Sequence, residues 1–180
     1  MATVFAHSVS AVAIGSVYAA SVGAAPSLPA RFWVMSVACA VIPDLDVLGL
    51  GFGIHYGNVW GHRGITHSLF FAAWLSAAVT LLAFPATDQF SPTWWALAAY
   101  FFIVTASHGV LDAMTNGGFG VAFFAPFDTT RYFLPWRPVE VSPIGIVSFF
   151  TARGAEVLKN EVVWIGIPSM VIIAMARLMK

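Results

Sequence analysis

The sequence predicts an all-α integral membrane protein, a bundle of about five transmembrane or membrane-embedded helices with a long interfacial loop after the fourth. Three observations predict it. Only 9% of the 180 residues are charged while 59% are hydrophobic, whereas soluble domains carry about 25% charged residues. The mean hydropathy is +0.85. The scarce charges also leave uncharged runs long enough to cross a bilayer, which takes roughly 20 residues as a helix. The length predicts one domain over residues 1–180. Disorder is excluded, since 16 Phe, 7 Trp and 4 Tyr supply far too much apolar surface.

Met1 to Ala30 is free of charge and reads as an uncleaved first helix, because it lacks a positive n-region and carries His7 inside the apolar run. Pro26 and Pro29 bound the turn after it. Phe32 to Pro43 is the shortest run, a tilted or re-entrant second helix that Pro43 ends. Gly64 to Thr87 and Gln89 to Leu111 each exceed the spanning length and make helices three and four, joined by a Thr87–Asp88–Gln89 corner between Pro85 and Pro92. Thr115-Asn116-Gly117-Gly118 stops helix four. The segment to Asn160 then mixes Arg131, Arg137, Arg153 and Lys159 with Phe123, Phe124, Phe127, Tyr132, Phe133 and Trp136, the composition of an interfacial cover. Val162 to Ala176 spans only if its ends reach the interface.

Net charge is zero, which gives no argument for a nucleic-acid partner, and none is expected. Cys39 is the lone cysteine, so there is no internal disulfide, and its apolar surroundings predict a buried, inert thiol. His55, in a Gly-rich loop, reads as a surface histidine. Glu140, Glu156 and Glu161 read as solvated, and Asp88 lies away from any histidine.

Against this background four polar features stand out: His7, the Pro43-Asp44-Leu45-Asp46 turn, the His62-to-Ser68 stretch, and Ser107-His108 with Asp112. On an up-and-down bundle, His7 starts helix one, Asp44 and Asp46 follow helix two, His62 and His67 precede helix three, and His108 and Asp112 end helix four. All seven then share one side of the membrane. His108 and Asp112, four apart, project from one helix face. Imidazole and carboxylate are ligands for zinc, manganese or iron, and ionisable groups at membrane depth mark function. Singly, each feature has a structural explanation: a helix-packing His7, a turn-capping Asp44, a juxtamembrane His62–Arg63 anchor, and Thr105 and Ser107 hydroxyls bonded back to their own helix. Jointly these do not explain the shared face.

The PDLD turn, the HRGITHS stretch, and SHGVLDAMTNGG followed by an aromatic-Pro-Phe element and PVEVSPIG resemble the membrane-bound metal-dependent hydrolases, the YdjM-like inner-membrane family. The family's polar positions fall on His7, Asp44, Asp46, His62, Arg63, Thr66, His67, His108 and Asp112. The family is in turn similar to zinc-dependent phospholipase C and P1-type nuclease, whose ligand order is met here by His7, Asp44 or Asp46, His62 or His67, and His108 with Asp112. No histidine follows Asp112, so the resemblance implies one or two metals, most simply zinc, rather than three. It also implies a bacterial inner-membrane location and a LexA-type protein partner.

On this reading a metal held by Asp46, His62 or His67, His108 and Asp112 activates a water for attack on a phosphoester, with Asp112 bridging to a second ion also held by His7. Asp44, if not a ligand, is a general base or orients a ligand histidine. Arg63 stabilises developing charge. An interfacial site suits a lipid or other amphipathic phosphoester, with membrane lipids as surroundings. A regulatory or scaffold protein with a structural metal is the alternative. A cation transporter ranks third, because transporter sites lie at the midplane on broken helices. Arg63, Arg131, Arg137, Arg153 and Lys159 on the ligand side, against Arg31, Arg177 and Lys180 opposite, predict a cytoplasmic site.

Overall fold

The computed structural model describes residues 1–23 and 28–179. Pro26 and Lys180, used above for the first turn and the charge balance, lie outside them. Five apolar helices form the bundle: α1 (Val4–Ser21), α2 (Ala30–Val41), α3 (Leu69–Ala83), α4 (Pro92–Ala113) and α5 (Ala152–Leu178). Side-chain caps start three of them. Thr3 accepts from Ala6 N, Ser68 from Phe71 N, and Ser91 from Trp94 N, with Pro92 in the first turn of α4. No strand occurs among the described residues; two isolated bridges, Thr115 with Val139 and Val121 with Tyr132, tie the segment after α4 together.

Four stretches are long and apolar enough to cross a membrane: Val4–Ser21, Ala30–Gly51, Pro92–Ala113 and Ala152–Leu178. The second differs from the sequence expectation. Pro43 ends only the α-form, since a proline in the first turn of a 3-10 segment needs no amide hydrogen. The chain continues through Ile42–Val47 and Leu48–Gly51. Helix three also differs. Gly64 to Ser68 is spent on a loop and cap, leaving α3 only 15 residues, about 22 Å at 1.5 Å per residue against a ~30 Å core. The final span is longer than its uncharged run, because Ala152–Glu161, a π-turn at Val162–Gly166 and Ile167–Leu178 form one continuous rod.

α3 packs on α4, α1 on α5, α2 and α4, and α2 on α3 and α4. Their shared core holds Phe32, Cys39, Leu75, Phe84, Phe101 and Val104. Phe32 and Tyr100 stack at 4.7 Å, and the Tyr100 hydroxyl meets Ser36 Oγ at 2.6 Å. That pairing satisfies both hydroxyls where no water is available. The apolar core occupies the end of the bundle away from the histidines.

At the histidine end the connecting segments fold inward over the bundle. Leu69 N donates to Phe123 O and Ala122 N to Arg63 O, which binds the segment after α4 to the loop before α3. Its aromatics Phe119, Phe124, Phe127 and Trp136 are exposed, as are Phe52 and Trp60 nearby. These are side chains suited to a membrane interface.

Candidate metal centre

The antiparallel order of α1 to α4 brings all four polar segments to one end. His7 sits one turn into α1, and its backbone N–H bonds to Thr3 O. Asp44 and Asp46 lie in the 3-10 turn that follows α2. Because they are two apart on a tight turn, they face different partners. His67 ends the short 3-10 turn Ile65–His67, and His108 and Asp112 lie in the last two turns of α4. The loop before α3 needs its glycine at 64: a Cβ there would overlap the Val59 carbonyl oxygen.

Asp44, His67, His108 and Asp112 form the centre, with one donor atom from each within 4.8 Å of the others. His67 Nε2 and His108 Nε2 are 3.0 Å apart. Asp44 Oδ1 is 3.3 Å from His108 Nε2 and 3.5 Å from His67 Nε2, and Asp112 Oδ2 is 3.4 Å from His67 Nε2. The far nitrogens decide what this means. His108 Nδ1 meets the Ala40 carbonyl at 2.7 Å, so that nitrogen carries the hydrogen. His67 Nδ1 lies 3.2 Å from Asp46 Oδ2, a carboxylate that also accepts from Thr66 Oγ1 at 2.6 Å. In their neutral forms both imidazoles therefore point bare Nε2 lone pairs at each other and at two carboxylates. Only a cation resolves that arrangement, either a shared proton or a metal ion.

The donor set fits a metal. Zinc bonds of about 2.0–2.1 Å at tetrahedral angles separate ligand atoms by roughly 3.3 Å, within the spread of distances above. Several buried donor atoms also lack a hydrogen-bond partner: both Asp44 oxygens, both His7 nitrogens and His62 Nε2. Leaving such groups bare costs about 1–3 kcal/mol each. The Ala40 carbonyl and Asp46 supply the outer contacts that fix the tautomer of ligand histidines.

His7 closes the other side. Its ring stacks on His108 at 3.8 Å, and its Nε2 lies 3.7 Å from Asp112 Oδ1 and 3.9 Å from Asp44 Oδ2. Each carboxylate thus turns one oxygen toward the His67–His108 pair and the other toward His7. Asp112 Oδ1 also accepts from Ala2 N at 2.7 Å.

A second group, Asp46, His62 and His67, adjoins the first. His62 Nδ1 bonds Asp46 Oδ1 at 2.6 Å and its ring meets His67 edge-on. His62 stands beside the centre rather than in it. His67 belongs to both groups, and burial alone would lower its pKa. Its contacts with Asp112, Asp44 and Asp46 outweigh burial and hold the imidazolium well above the ordinary histidine value.

Arg63 is fully buried at a positive φ of 62°. Its Nε lies 3.0 Å from Asp112 Oδ2, and its amino groups donate to Gly117 O, Phe119 O and Thr115 Oγ1 at 3.2, 3.0 and 2.9 Å. Holding a non-glycine residue there costs about 1–3 kcal/mol. The clamp on Asp112 and on the loop after α4 offsets it. Arg131 does similar work, donating to the carbonyls of His62, Gly120, Tyr56 and Asn58.

Sequence reasoning missed two contributors. Thr115, which anchors Arg63, looks like any turn residue. Glu161 is buried, not solvated: Thr3 N donates to its Oε1 at 2.6 Å and Thr3 Oγ1 to its Oε2 at 2.5 Å. It locks the start of α1 to the middle of α5. His55, Glu156 and Asp88 are exposed as expected, and the Thr105 and Ser107 hydroxyls bond back to Phe101 O and Val104 O.

A model of the family described as YdjM inner membrane protein matches residues 1–180. The chain belongs to the YdjM family. It is also 33% identical over 175 residues to the inner membrane protein YbcI of Escherichia coli strain K12, covering 97% of this chain and 96% of that protein. No solved structure matches. Membership agrees with the apolar helices in making this a membrane protein, and as a YdjM-family chain it carries a buried His/Asp cluster able to hold a metal ion.

Proposed function

We propose that the protein is a membrane-bound metal-dependent hydrolase that cleaves a phosphoester of a lipid or other amphipathic molecule at this cluster. The observation that carries the reading is the facing pair of bare Nε2 atoms, His67 and His108, set against Asp44 and Asp112 with their Nδ1 atoms already committed. His67, His108, Asp44 and Asp112 would hold one divalent ion, and His7 with the outer oxygens of both carboxylates a second. Imidazole and carboxylate donors favour zinc, with manganese and iron next. Such an ion supplies Lewis-acid polarisation of a phosphoryl oxygen and acidifies a bound water.

The remaining work falls to the chain. Asp46 and the Ala40 carbonyl hold the imidazoles in the donor tautomer. Arg63 fixes Asp112 and leaves its charge partly neutralised. Where only the first ion is bound, Asp44, whose oxygens accept no hydrogen bond, takes a proton at Oδ2, the oxygen farther from the His67–His108 pair. The aromatic segment after α4 excludes bulk water from the cluster. Arg63, Arg131, Arg137, Arg153 and Lys159 on this end, against Arg31 and Arg177 on the other, support a cytoplasmic site in a bacterial inner membrane.

The complete burial of His7, His67, His108 and Asp112 favours one second reading. In it a closed, structural metal site belongs to a regulatory protein that engages a LexA-type partner. Turnover separates the two. Purified protein in detergent is assayed on bis-p-nitrophenyl phosphate and on phosphatidic acid micelles with added zinc or manganese. The hydrolase reading predicts metal-dependent cleavage that falls on the order of 10²-fold in His67→Ala and His108→Ala and is unchanged in the exposed Glu156→Gln. Metal retained without exchange and without cleavage of either phosphoester would overturn it.

A further inference from the structure

An apolar groove of about 340 Å³ lies at the same end of the bundle, lined by Val4, Phe5, Val47, Ile144, Phe149 and Phe150. That volume is at the lower end of the ~300–1,000 Å³ found for ligand pockets. The Thr3 and Ser142 donors that border it are already paired. Thr3 N and Oγ1 donate to Glu161, Ser142 N donates to Met1 O, and Ser142 Oγ donates to Pro143 O. An occupant finds none of these donors free, so the groove suits hydrocarbon.

Its two ends differ. At the outer rim Phe5, Ile144 and Phe150 are exposed, open to the surroundings of a membrane protein. At the inner end it is bordered by Met1 and Thr3, which flank Ala2, and by Val47, which follows Asp46. Ala2 N is the donor to Asp112 Oδ1. The groove therefore leads from an exposed apolar surface to the Met1–Thr3 segment, whose Ala2 N–H binds Asp112, and to Val47, three residues after Asp44 in the chain.

We propose that this groove binds one acyl chain of a phosphate-bearing membrane lipid, whose headgroup is thereby directed to the Asp44–Asp112 side of the centre. The fate of the headgroup rests on the hydrolase reading; the seating of the chain does not. Carbon–carbon packing against Phe5, Phe149 and Phe150 selects for a long chain, and a cation held by the cluster would select for an anionic head.

The test is photo-crosslinking of the full-length protein in vesicles that contain phosphatidic acid with a diazirine in its acyl tail. Ile144→Trp and Val47→Trp fill the groove without touching a ligand. Val171→Trp adds the same kind of bulk to the exposed face of α5. Adducts are expected to concentrate on residues 1–9 and 142–150. They should fall about fivefold or more in each filling variant and stay unchanged in Val171→Trp. They should also persist in His108→Ala/Asp112→Ala, so that loss of metal and loss of the groove are read separately. Adducts spread evenly over α1 to α5, or undiminished in both filling variants, would overturn the proposal.

Discussion

Replacing Asp46 with Asn isolates the outer support of the candidate metal centre from the centre itself. Asp46 meets four groups: His62 Nδ1 at 2.6 Å, Thr66 Oγ1 at 2.6 Å, Arg63 N at 3.2 Å and His67 Nδ1 at 3.2 Å. An asparagine with its oxygen toward Thr66, Arg63 and His67 keeps three of them. Its NH2 then faces His62 Nδ1, and His62 accepts by carrying its proton on Nε2, an atom that now has no partner. The hydrogen bonds survive, while the negative charge that makes His67 a better donor is gone. Outer-contact substitutions of this kind weaken metal binding about 10–100-fold, roughly 1.4–2.7 kcal/mol. The assay is competition for zinc against a chromophoric chelator, in detergent at neutral pH, with His108→Ala as the ligand-loss reference. A Kd within twofold of the parent would refute the role assigned to Asp46. Complete loss equal to that of His108→Ala would show that Asp46 is itself a ligand.

Three further outcomes follow from the same contacts. Arg63→Met strips the guanidinium from buried Asp112 and from two loop carbonyls and should cost about 3–5 kcal/mol, read as a lower unfolding temperature in detergent and faster proteolysis of the segment after α4. Because the imidazolium of His67 is held well above its usual value in the metal-free protein, its proton stabilises that form fully below about pH 6.5, the unfolded value. The contribution is lost as pH rises through the raised folded value. Unfolding of the chelated protein should therefore shift downward with rising pH, metal should bind with proton release, and a flat profile would contradict the assignment. Glu161→Ala strips Thr3 N and Oγ1 of their acceptor and should cost about 1–3 kcal/mol in thermal unfolding, although Glu161 touches none of the proposed ligands.

The parts legible in the sequence are those that depend on local pattern. Uncharged runs become helices because a bilayer admits few other forms, and the antiparallel order follows from short turns at Pro29 and Pro85–Pro92. The i, i+4 spacing puts His108 and Asp112 on one face whatever surrounds them. Partner choice across elements is not local. Nothing in Pro-Asp-Leu-Asp shows that Asp44 turns into the cluster while Asp46 turns toward His62 and His67, since that depends on a 3-10 turn continuing past Pro43. Likewise His62 and His67 look alike until the turn at Ile65–His67 aims only one of them at His108. Glu161 lies in the polar first half of α5, where a solvated carboxylate is the ordinary reading; only the arrival of Thr3 from the other end of the chain buries it. The apolar run overstates helix three for a related reason, as it includes residues committed to the loop that carries His67.

Whether this buried cluster holds metal is read from the metal content of the full-length protein, purified in detergent without chelator and measured by plasma mass spectrometry beside His108→Ala/Asp112→Ala. One or two tightly bound zinc, manganese or iron ions per chain, absent from a double variant that remains folded, is the predicted result. Folded parent protein with no stoichiometric metal would contradict it, and a shared proton would then be what sits between His67 and His108.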